Sequence, residues 1–317
     1  MFWHDEIDPS HEPHKVLIHK GAWVDEARDG RVVPYKIYYP VNHDMRDLPL
    51  IIWSHGLGGG RDGAAFLARF IASYGYVVIH PQHFGTDTTI WEGKPGHPWD
   101  VIRKTEITRD VTLDRFYDIP FVLEQLPAFK AENADIGAHM DLENIGICGH
   151  SFGALTTQIM AGQTFPDHSD TLIQIKPDVF KAGILYSFVP MGHITDAPPE
   201  EIFGAMDLPL FFMTGTKDDS PISGKDYTYR MPAYDHAGHD KNILMVLKDG
   251  DHMVFTGSRG KLGAYPKRKE HEAIIKATSL AYWDAHLKGD KDAAQWLTKG
   301  GMATYVNGEA RIQIGKK

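Results

Sequence analysis

One pentapeptide limits the fold more than any other feature of this sequence. Gly149-His150-Ser151-Phe152-Gly153 has the pattern Gly-x-Ser-x-Gly, and it lies directly between an apolar run at 145–148 and a helical pattern at 152–161. On so tight a strand-to-helix turn, the residues two before and two after the serine have to be small, and the serine is held up above the sheet. The sequence therefore predicts that Ser151 is a nucleophile. The alternative is a chance match to the pattern in a loop.

The rest of the chain alternates between strand and helix patterns. Short apolar runs predict strands at 48–54, 76–80, 182–186, 208–213 and 243–247. This alternation indicates an α/β fold with a mostly parallel central sheet and helices on both faces, and ligands bind beyond the carboxyl ends of such strands. We predict one domain over residues 1–317, with 81–104 and 187–207 as loop or small cap insertions. Asn307-Gly308, between short β-type runs at 304–306 and 311–314, predicts a hairpin near the C-terminus.

A serine hydroxyl becomes a good nucleophile only when a base accepts its proton. His252 leaves the carboxyl end of the predicted strand at 243–247, and the base comes last in chain order in this kind of fold. A carboxylate must orient the imidazole and stabilise its positive charge. Asp218 and Asp219 both follow the strand at 208–213, and the Gly-x-x-Asp spacing from Gly215 favours Asp218, with Asp219 as the alternative acid.

The oxyanion that forms during acyl transfer needs two N–H donors. The residue after the nucleophile, Phe152, supplies one, and the glycine-rich turn after the strand at 48–54 supplies the other, which we assign to Leu57. Four apolar side chains in the long loops either line a substrate pocket or only anchor those loops. These candidate substrate-binding residues are Trp91, Trp99, Phe188 and Met191.

Four stretches together resemble the α/β-hydrolase fold, and more narrowly the platelet-activating-factor acetylhydrolases and dienelactone-hydrolase-like esterases. They are Ser54-His55-Gly56-Leu57-Gly58, the residues at 74–81, the pentapeptide around Ser151, and Pro209-Leu210-Phe211-Phe212. The resemblance covers about two thirds of the chain, from residue 48 to residue 255. It implies the same roles for Ser151, His252, Leu57 and Phe152 as the pattern does.

Two features depart from these families. Dienelactone hydrolases use a cysteine nucleophile, whereas this chain has Ser151 there and its one cysteine, Cys148, on the preceding strand. The animal lipoprotein-associated acetylhydrolases place their acid after the sixth strand, where this chain has Leu185-Tyr186-Ser187-Phe188 and no carboxylate. The second departure favours an acid after the next strand and weakens any transfer of a phospholipid substrate.

Two other patterns compete for a function. Gly58, Gly60 and Gly63 form Gly-x-Gly-x-x-Gly, but no acidic residue ends the next strand as a dinucleotide site requires. The pairs His80/His83 and His236/His239 have metal-ligand spacing, but neither is placed on a helix and neither has an evident third ligand. We therefore predict no cofactor and no metal.

Composition limits the partners. Lys and Arg total 33 against 42 for Asp and Glu, a formal net charge of −9, which argues against binding to nucleic acid or to an anionic membrane. No stretch has the roughly 18 consecutive apolar residues of a membrane span. A single cysteine excludes an intramolecular disulfide. We expect a cytoplasmic protein that acts on a small-molecule ester, and the sequence leaves its oligomeric state open.

These residues predict a serine esterase that forms an acyl-enzyme, with short-acyl or small esters as substrates. A thioesterase, lactonase or amidase could use the same triad, because fold alone does not decide function. A ligand-binding protein on a hydrolase scaffold is the alternative of another class, and such a protein would be expected to lack a triad member.

Overall fold

A computed structural model describes residues 1–42, 44–190, 194–257 and 267–315 of the chain. Within these residues, nine strands form one sheet in the order β1-β2-β4-β3-β5-β8-β9-β10-β11. The six strands from β4 to β10 in this order are parallel, whereas β1 and β2 at one edge and β11 at the other run antiparallel to their neighbours. The strands are β1 (Val16–Asp25), β2 (Arg31–Pro40), β3 (Leu48–Ser54), β4 (Val77–Pro81), β5 (Met140–His150), β8 (Phe180–Tyr186), β9 (Leu210–Lys217), β10 (Ile243–Asp251) and β11 (Ala310–Ile314), with a separate hairpin of β6 (Thr164–Pro166) and β7 (Leu172–Gln174).

Helices cover both faces of the sheet because its central strands are apolar on both sides. On β3, Leu50 and Ile52 face one core, whereas Ile51 and Trp53 face the other. One face is covered by α3, α5, α6 and α7, and the opposite face by α1, α8, α9 and α10. The helices are α1 (Ala65–Ser73), α2 (Pro98–Lys104), α3 (Arg109–Glu132), α4 (Ala134–Gly137), α5 (Phe152–Met160), α6 (Pro199–Phe203), α7 (Met231–Asp235), α8 (Arg268–Leu287), α9 (Lys291–Thr298) and α10 (Gly301–Val306).

The predicted fold class is confirmed. All five strands that were predicted from apolar runs are present, and the parallel strands bring their carboxyl ends to the same edge of the sheet. The turn of Ser151, the two adjacent aspartates and His252 follow β5, β9 and β10 at this edge. The long helix α3 contains Pro120 and continues through that proline to Glu132.

The predicted C-terminal hairpin is wrong. Residues 304–306 belong to α10, and Asn307 ends that helix in the left-handed region, with φ 45°. The strand β11 pairs instead with β10, where Leu247 lies opposite Ala310. An Asn-Gly pair has the left-handed backbone that a tight hairpin needs, but a helix C-terminus needs it too.

The two segments predicted as insertions contain short helices. Residues 81–104 hold a single 3₁₀ turn, Thr88–Ile90, and α2. In the described part of 187–207 lies α6. No helix among the described residues combines the length and the apolar character needed to cross a membrane.

Candidate active site

Ser151 joins β5 to α5 with a strained backbone. Its φ of 56° and ψ of −116° are rare for a residue with a side chain, and such strain is concentrated at functional sites. A Cβ added to Gly153 would overlap the carbonyl oxygen of Ser54, and one added to Gly149 would overlap that of Gly153. Only glycine fits at these two positions, which is why the turn requires the Gly-x-Ser-x-Gly pattern.

His252 and Asp218 meet beyond the ends of β10 and β9. Nδ1 of His252 lies 2.7 Å from Oδ1 of Asp218, and the hydroxyl of Thr214 donates to Oδ2 at 2.8 Å. An ionised carboxylate only accepts hydrogen bonds, so Nδ1 carries the proton and donates it. That tautomer leaves Nε2 with a free lone pair. Asp218 is fully buried, whereas Asp219 is exposed.

A buried arginine that the sequence analysis missed also contacts Asp218. Nη2 of Arg230 donates to Oδ1 of Asp218 at 2.8 Å, and Nη1 donates to the carbonyl oxygens of Phe188 and Ser187 at 2.7 and 3.1 Å. Burial alone would raise the pKa of Asp218, but the charges of His252 and Arg230 outweigh burial and hold that pKa below its usual value. The carboxylate is therefore ionised at neutral pH.

His150, the residue before the proposed nucleophile, fixes the backbone of the loop that carries His252. Its Nε2 donates to the carbonyl oxygen of His252 at 2.7 Å, and the two rings lie 4.6 Å apart. Burial, and then the charge of His252, lowers the pKa of His150 to about 3, so its ring is neutral. The sequence gives no signal for this contact beyond the position of His150 next to Ser151.

The predicted oxyanion donors belong to two segments that line the same cavity as the serine. Leu57 follows β3 in a loop that two hydrogen bonds hold in place. The N–H of Gly58 donates to the carbonyl oxygen of Thr86 at 2.8 Å, and Nε1–H of Trp91 donates to the carbonyl oxygen of Gly58 at 2.7 Å. Phe152 is the first residue of α5, where a backbone N–H has no partner within the helix. Leu57, Ser151, Phe152 and His252 all line one cavity.

Two cavities among the described residues meet at the serine. Both are lined by Leu57, Ser151 and His252; the larger has a volume of about 870 Å³ and the smaller of about 500 Å³. Three further residues line both cavities and are here called the bridge: Ile102 on α2, and Pro221 and Ile222 on the loop after β9. Nε of Arg103 donates to the carbonyl oxygen of Pro221 at 3.0 Å and ties the two halves of the bridge together.

The predicted substrate-binding side chains have different locations. Trp91 and Trp99 line the smaller cavity. Phe188 lines neither cavity, because it is fully buried and packs edge-on against Phe212 with ring centres 5.1 Å apart. Its neighbour Val189 lines the larger cavity. Met191 lies outside the described residues.

The competing motifs have other surroundings. Gly58, Gly60 and Gly63 line the smaller cavity beside the serine. His80 stacks on Trp53 inside the protein, with ring centres 5.6 Å apart, and His236 pairs with Glu200 at 3.1 Å. No group of three or more His, Cys, Asp or Glu side chains within the described residues is arranged to hold a metal ion.

Comparison with known families supports the resemblance. The family model described as platelet-activating factor acetylhydrolase, isoform II, matches residues 32–91. The chain has an α/β-hydrolase type of fold and resembles this family over the matched residues. The match covers nearly all of β2, all of β3, α1 and β4, and the loop that carries Leu57, and it ends before β5. It indicates a hydrolase that acts on esters. No curated protein matches the chain.

Proposed function

We propose that this hydrolase cleaves carboxylic esters through an acyl-enzyme on Ser151, with His252 as the base and Asp218 as the acid that orients it. The observation that carries the proposal is the contact of 2.7 Å between His252 Nδ1 and Asp218 Oδ1, beside a strained serine in the same cavity. A nucleophile, a base and a group that orients the base are the parts that this chemistry needs.

In the first half of the proposed reaction, Oγ of Ser151 attacks the ester carbonyl carbon while His252 Nε2 accepts the hydroxyl proton. The carbonyl oxygen becomes an oxyanion that accepts hydrogen bonds from the N–H groups of Leu57 and Phe152. The bond between the carbonyl carbon and the alcohol oxygen then breaks, and the protonated His252 donates its proton to the departing alcohol.

In the second half, water attacks the acyl-enzyme and gives a proton to the same histidine. The bond to Ser151 Oγ breaks, the serine recovers its proton, and the carboxylic acid leaves. Asp218 stays ionised throughout and stabilises the imidazolium that forms twice in each cycle.

The two cavities meet at Ser151 and would supply room on both sides of a scissile bond placed there. Their volumes, about 870 and 500 Å³, both lie within the usual range for small-molecule sites. The larger one has space for acyl groups longer than acetyl. The expectation of short-acyl or small esters is therefore the part of the proposal that a chain-length series tests most directly. The small-molecule partner and the cytoplasmic location stay predictions.

The test is hydrolysis of p-nitrophenyl esters of increasing acyl length by the wild-type protein and by Ser151→Ala. We expect turnover by the wild type, and a loss of activity of at least about 10⁴-fold in a variant that stays folded. A fluorophosphonate probe should label Ser151 alone, as read by peptide mass spectrometry. Turnover by Ser151→Ala at the wild-type rate would disprove the mechanism. If the wild type cleaves thioesters or amides but no oxygen esters, the same triad serves another acyl transfer.

A further inference from the structure

A hydrogen-bonded Ser-His-Asp chain, separate from the proposed triad, lies behind the proposed oxyanion loop. The hydroxyl of Ser54 is 2.9 Å from Nε2 of His83, and Nδ1 of His83 is 3.0 Å from Oδ2 of Asp118. All three side chains are fully buried, and none lines either of the two cavities. A substrate cannot reach this hydroxyl, so this hydrogen-bonded chain is not another catalytic site and must serve a different purpose.

The charge of Asp118 determines the direction of each hydrogen bond between Ser54, His83 and Asp118. Arg31 Nε donates to Asp118 Oδ1 at 2.7 Å and Arg28 Nη2 at 2.9 Å. Burial raises the pKa of Asp118, but its hydrogen bonds from Arg31 and His83 outweigh burial and hold the pKa at about 2. The carboxylate can only accept, so Nδ1 of His83 donates to it and Nε2 accepts from the hydroxyl of Ser54. Burial also lowers the pKa of His83 to about 4, in keeping with a neutral ring.

The hydroxyl of Ser54 in turn accepts from Arg115, a fully buried guanidinium on α3. Nη2 of Arg115 donates to this hydroxyl at 2.8 Å and also to the carbonyl oxygen of His55. Its Nη1 donates to the hydroxyl of Thr86 at 2.7 Å, and its Nε to the hydroxyl of Thr156 at 2.8 Å. One rigid, planar group thus joins four acceptors that lie on three separate segments of the chain.

These contacts hold the loop of Leu57 on both of its sides. Before Leu57, the His83 N–H donates to Nε2 of His55 at 3.0 Å, and Nδ1 of His55 donates to the carbonyl oxygen of Gly56 at 2.8 Å. After Leu57, the N–H of Gly58 donates to the carbonyl oxygen of Thr86, the residue whose hydroxyl accepts from Arg115.

The same guanidinium touches the other proposed donor. Its central carbon lies over the ring of Phe152, 4.5 Å from the ring centre. Thr156, which accepts from Arg115 Nε, donates its own hydroxyl hydrogen to the carbonyl oxygen of Phe152 at 3.1 Å. Arg115 is therefore in contact with the segments that carry both proposed oxyanion donors.

We propose that Arg115 is the positioning residue of the oxyanion hole: its guanidinium fixes the loop of Leu57 relative to the start of α5, so that two N–H groups converge on one point. This inference rests on the proposed esterase function. Oxyanion donors act only within hydrogen-bond range of the developing charge, and a misplacement of about 1 Å can cost about 10²-fold in rate. Because Arg115 itself lies outside both cavities, its loss should change kcat much more than KM.

The experiment compares Arg115→Lys with a matched pair on α5. Thr156→Val removes an acceptor of Arg115, and it also removes the hydrogen bond from the Thr156 hydroxyl to the carbonyl oxygen of Phe152. Thr157→Val removes only the equivalent hydroxyl bond, to the carbonyl oxygen of Gly153, and Thr157 is equally buried. Each variant is titrated with a fluorophosphonate so that kcat refers to competent sites. The other readouts are KM, the affinity for a boronic acid that forms a tetrahedral adduct, and the affinity for the alcohol product.

For Arg115→Lys we expect kcat to fall about 10- to 100-fold, with KM changing less than about threefold. The affinity for the boronic acid should fall in parallel, while the affinity for the alcohol product should not change. Thr156→Val should lose about three- to tenfold in kcat, and Thr157→Val less than twofold.

Other results separate this inference from the proposed function. If wild-type protein hydrolyses no ester, or if Ser151→Ala retains activity, the proposed function fails. If the wild type is active and Arg115→Lys keeps its kcat within twofold, the positioning role is wrong. Equal losses in Thr156→Val and Thr157→Val would also overturn it. That pair decides the question if Arg115→Lys does not fold.

Discussion

Replacing Asp218 by Asn tests the assignment of the acid in the proposed triad. The substitution keeps the size of the side chain and removes its charge. It leaves the imidazolium of His252, which forms in each half of the proposed reaction, without its carboxylate partner. It also leaves the guanidinium of Arg230 buried at 3.3 Å from Nδ1 of His252, with no anion between them.

The size of the effect follows from these contacts. Two unit charges about 4 Å apart interact by about 4 kcal/mol at an effective dielectric constant of about 20, which corresponds to about 10³-fold in rate. Asparagine can also hold the imidazole in the wrong tautomer, and in a serine protease this substitution costs about 10⁴-fold in kcat. The uncompensated charge of Arg230 opposes imidazolium formation further. We therefore expect Asp218→Asn to lose about 10³- to 10⁴-fold in kcat.

The assay is steady-state hydrolysis of the best p-nitrophenyl ester, with Asp219→Asn as the matched control. Asp219 is the adjacent aspartate and is exposed, so its variant should keep kcat within about twofold. Circular dichroism and thermal unfolding establish that each variant is folded, which matters because the Asp218 variant leaves a buried charge unpaired. If Asp218→Asn keeps more than a tenth of the wild-type kcat, or if Asp219→Asn loses as much, the assignment of the acid is wrong.

Three further predictions follow from other contacts. Gly153→Ala should unfold at a lower temperature and resist fluorophosphonate labelling, because its Cβ would overlap the carbonyl oxygen at the end of β3; labelling at the wild-type rate would contradict this. Arg103→Ala should loosen the bridge between the two cavities and raise the rate on bulky esters relative to acetate several-fold, whereas an unchanged ratio would count against a bridge that limits substrate size. Burial lowers the pKa values of His80, His83 and His150 to about 3, 4 and 3. Below about pH 6.5 these histidines take up protons in the unfolded chain but stay neutral in the folded chain. The free energy of unfolding should therefore be highest above pH 6.5 and fall below it. At pH 5 each of these histidines should lower the free energy of unfolding by about 2 kcal/mol. Equal urea midpoints at pH 7 and pH 5 would refute this.

The fold could be predicted because its central strands are buried on both sides. Strands such as β3 and β4 are short, nearly unbroken apolar runs, and a glycine-rich turn or a proline marks where they end. The prediction for the C-terminal region was wrong for a different reason. The strand β11 pairs with β10, which lies some 60 residues earlier in the chain, and a local pattern cannot identify so distant a partner.

The positions of Ser151, His252 and Asp218 relative to the strands were predictable because parallel strands align their carboxyl ends. The two buried arginines, Arg115 and Arg230, could not be predicted. Arg115 reaches the hydroxyl of Ser54 across 61 residues of sequence, and Arg230 reaches the carbonyl oxygen of Phe188 across 42. Charged residues are normally exposed, so a hydropathy pattern assigns both to the surface. The weak signal for Arg115 is its position between the apolar side chains of Leu113 and Phe116 on α3.

The buried chain of Ser54, His83 and Asp118 shows that hydrogen-bond connectivity alone does not assign a nucleophile. Ser54 is fully buried at the end of a strand, and its hydroxyl oxygen accepts a hydrogen bond from the cationic Arg115. A cation bound to that oxygen draws electron density away from the lone pair that would have to attack a substrate. Ser151 is partly exposed on a strained turn, lines both cavities, and is next to a helix N-terminus that favours negative charge. Access to the substrate and the charge beside the oxygen therefore separate the proposed nucleophile from the serine that only holds the loop.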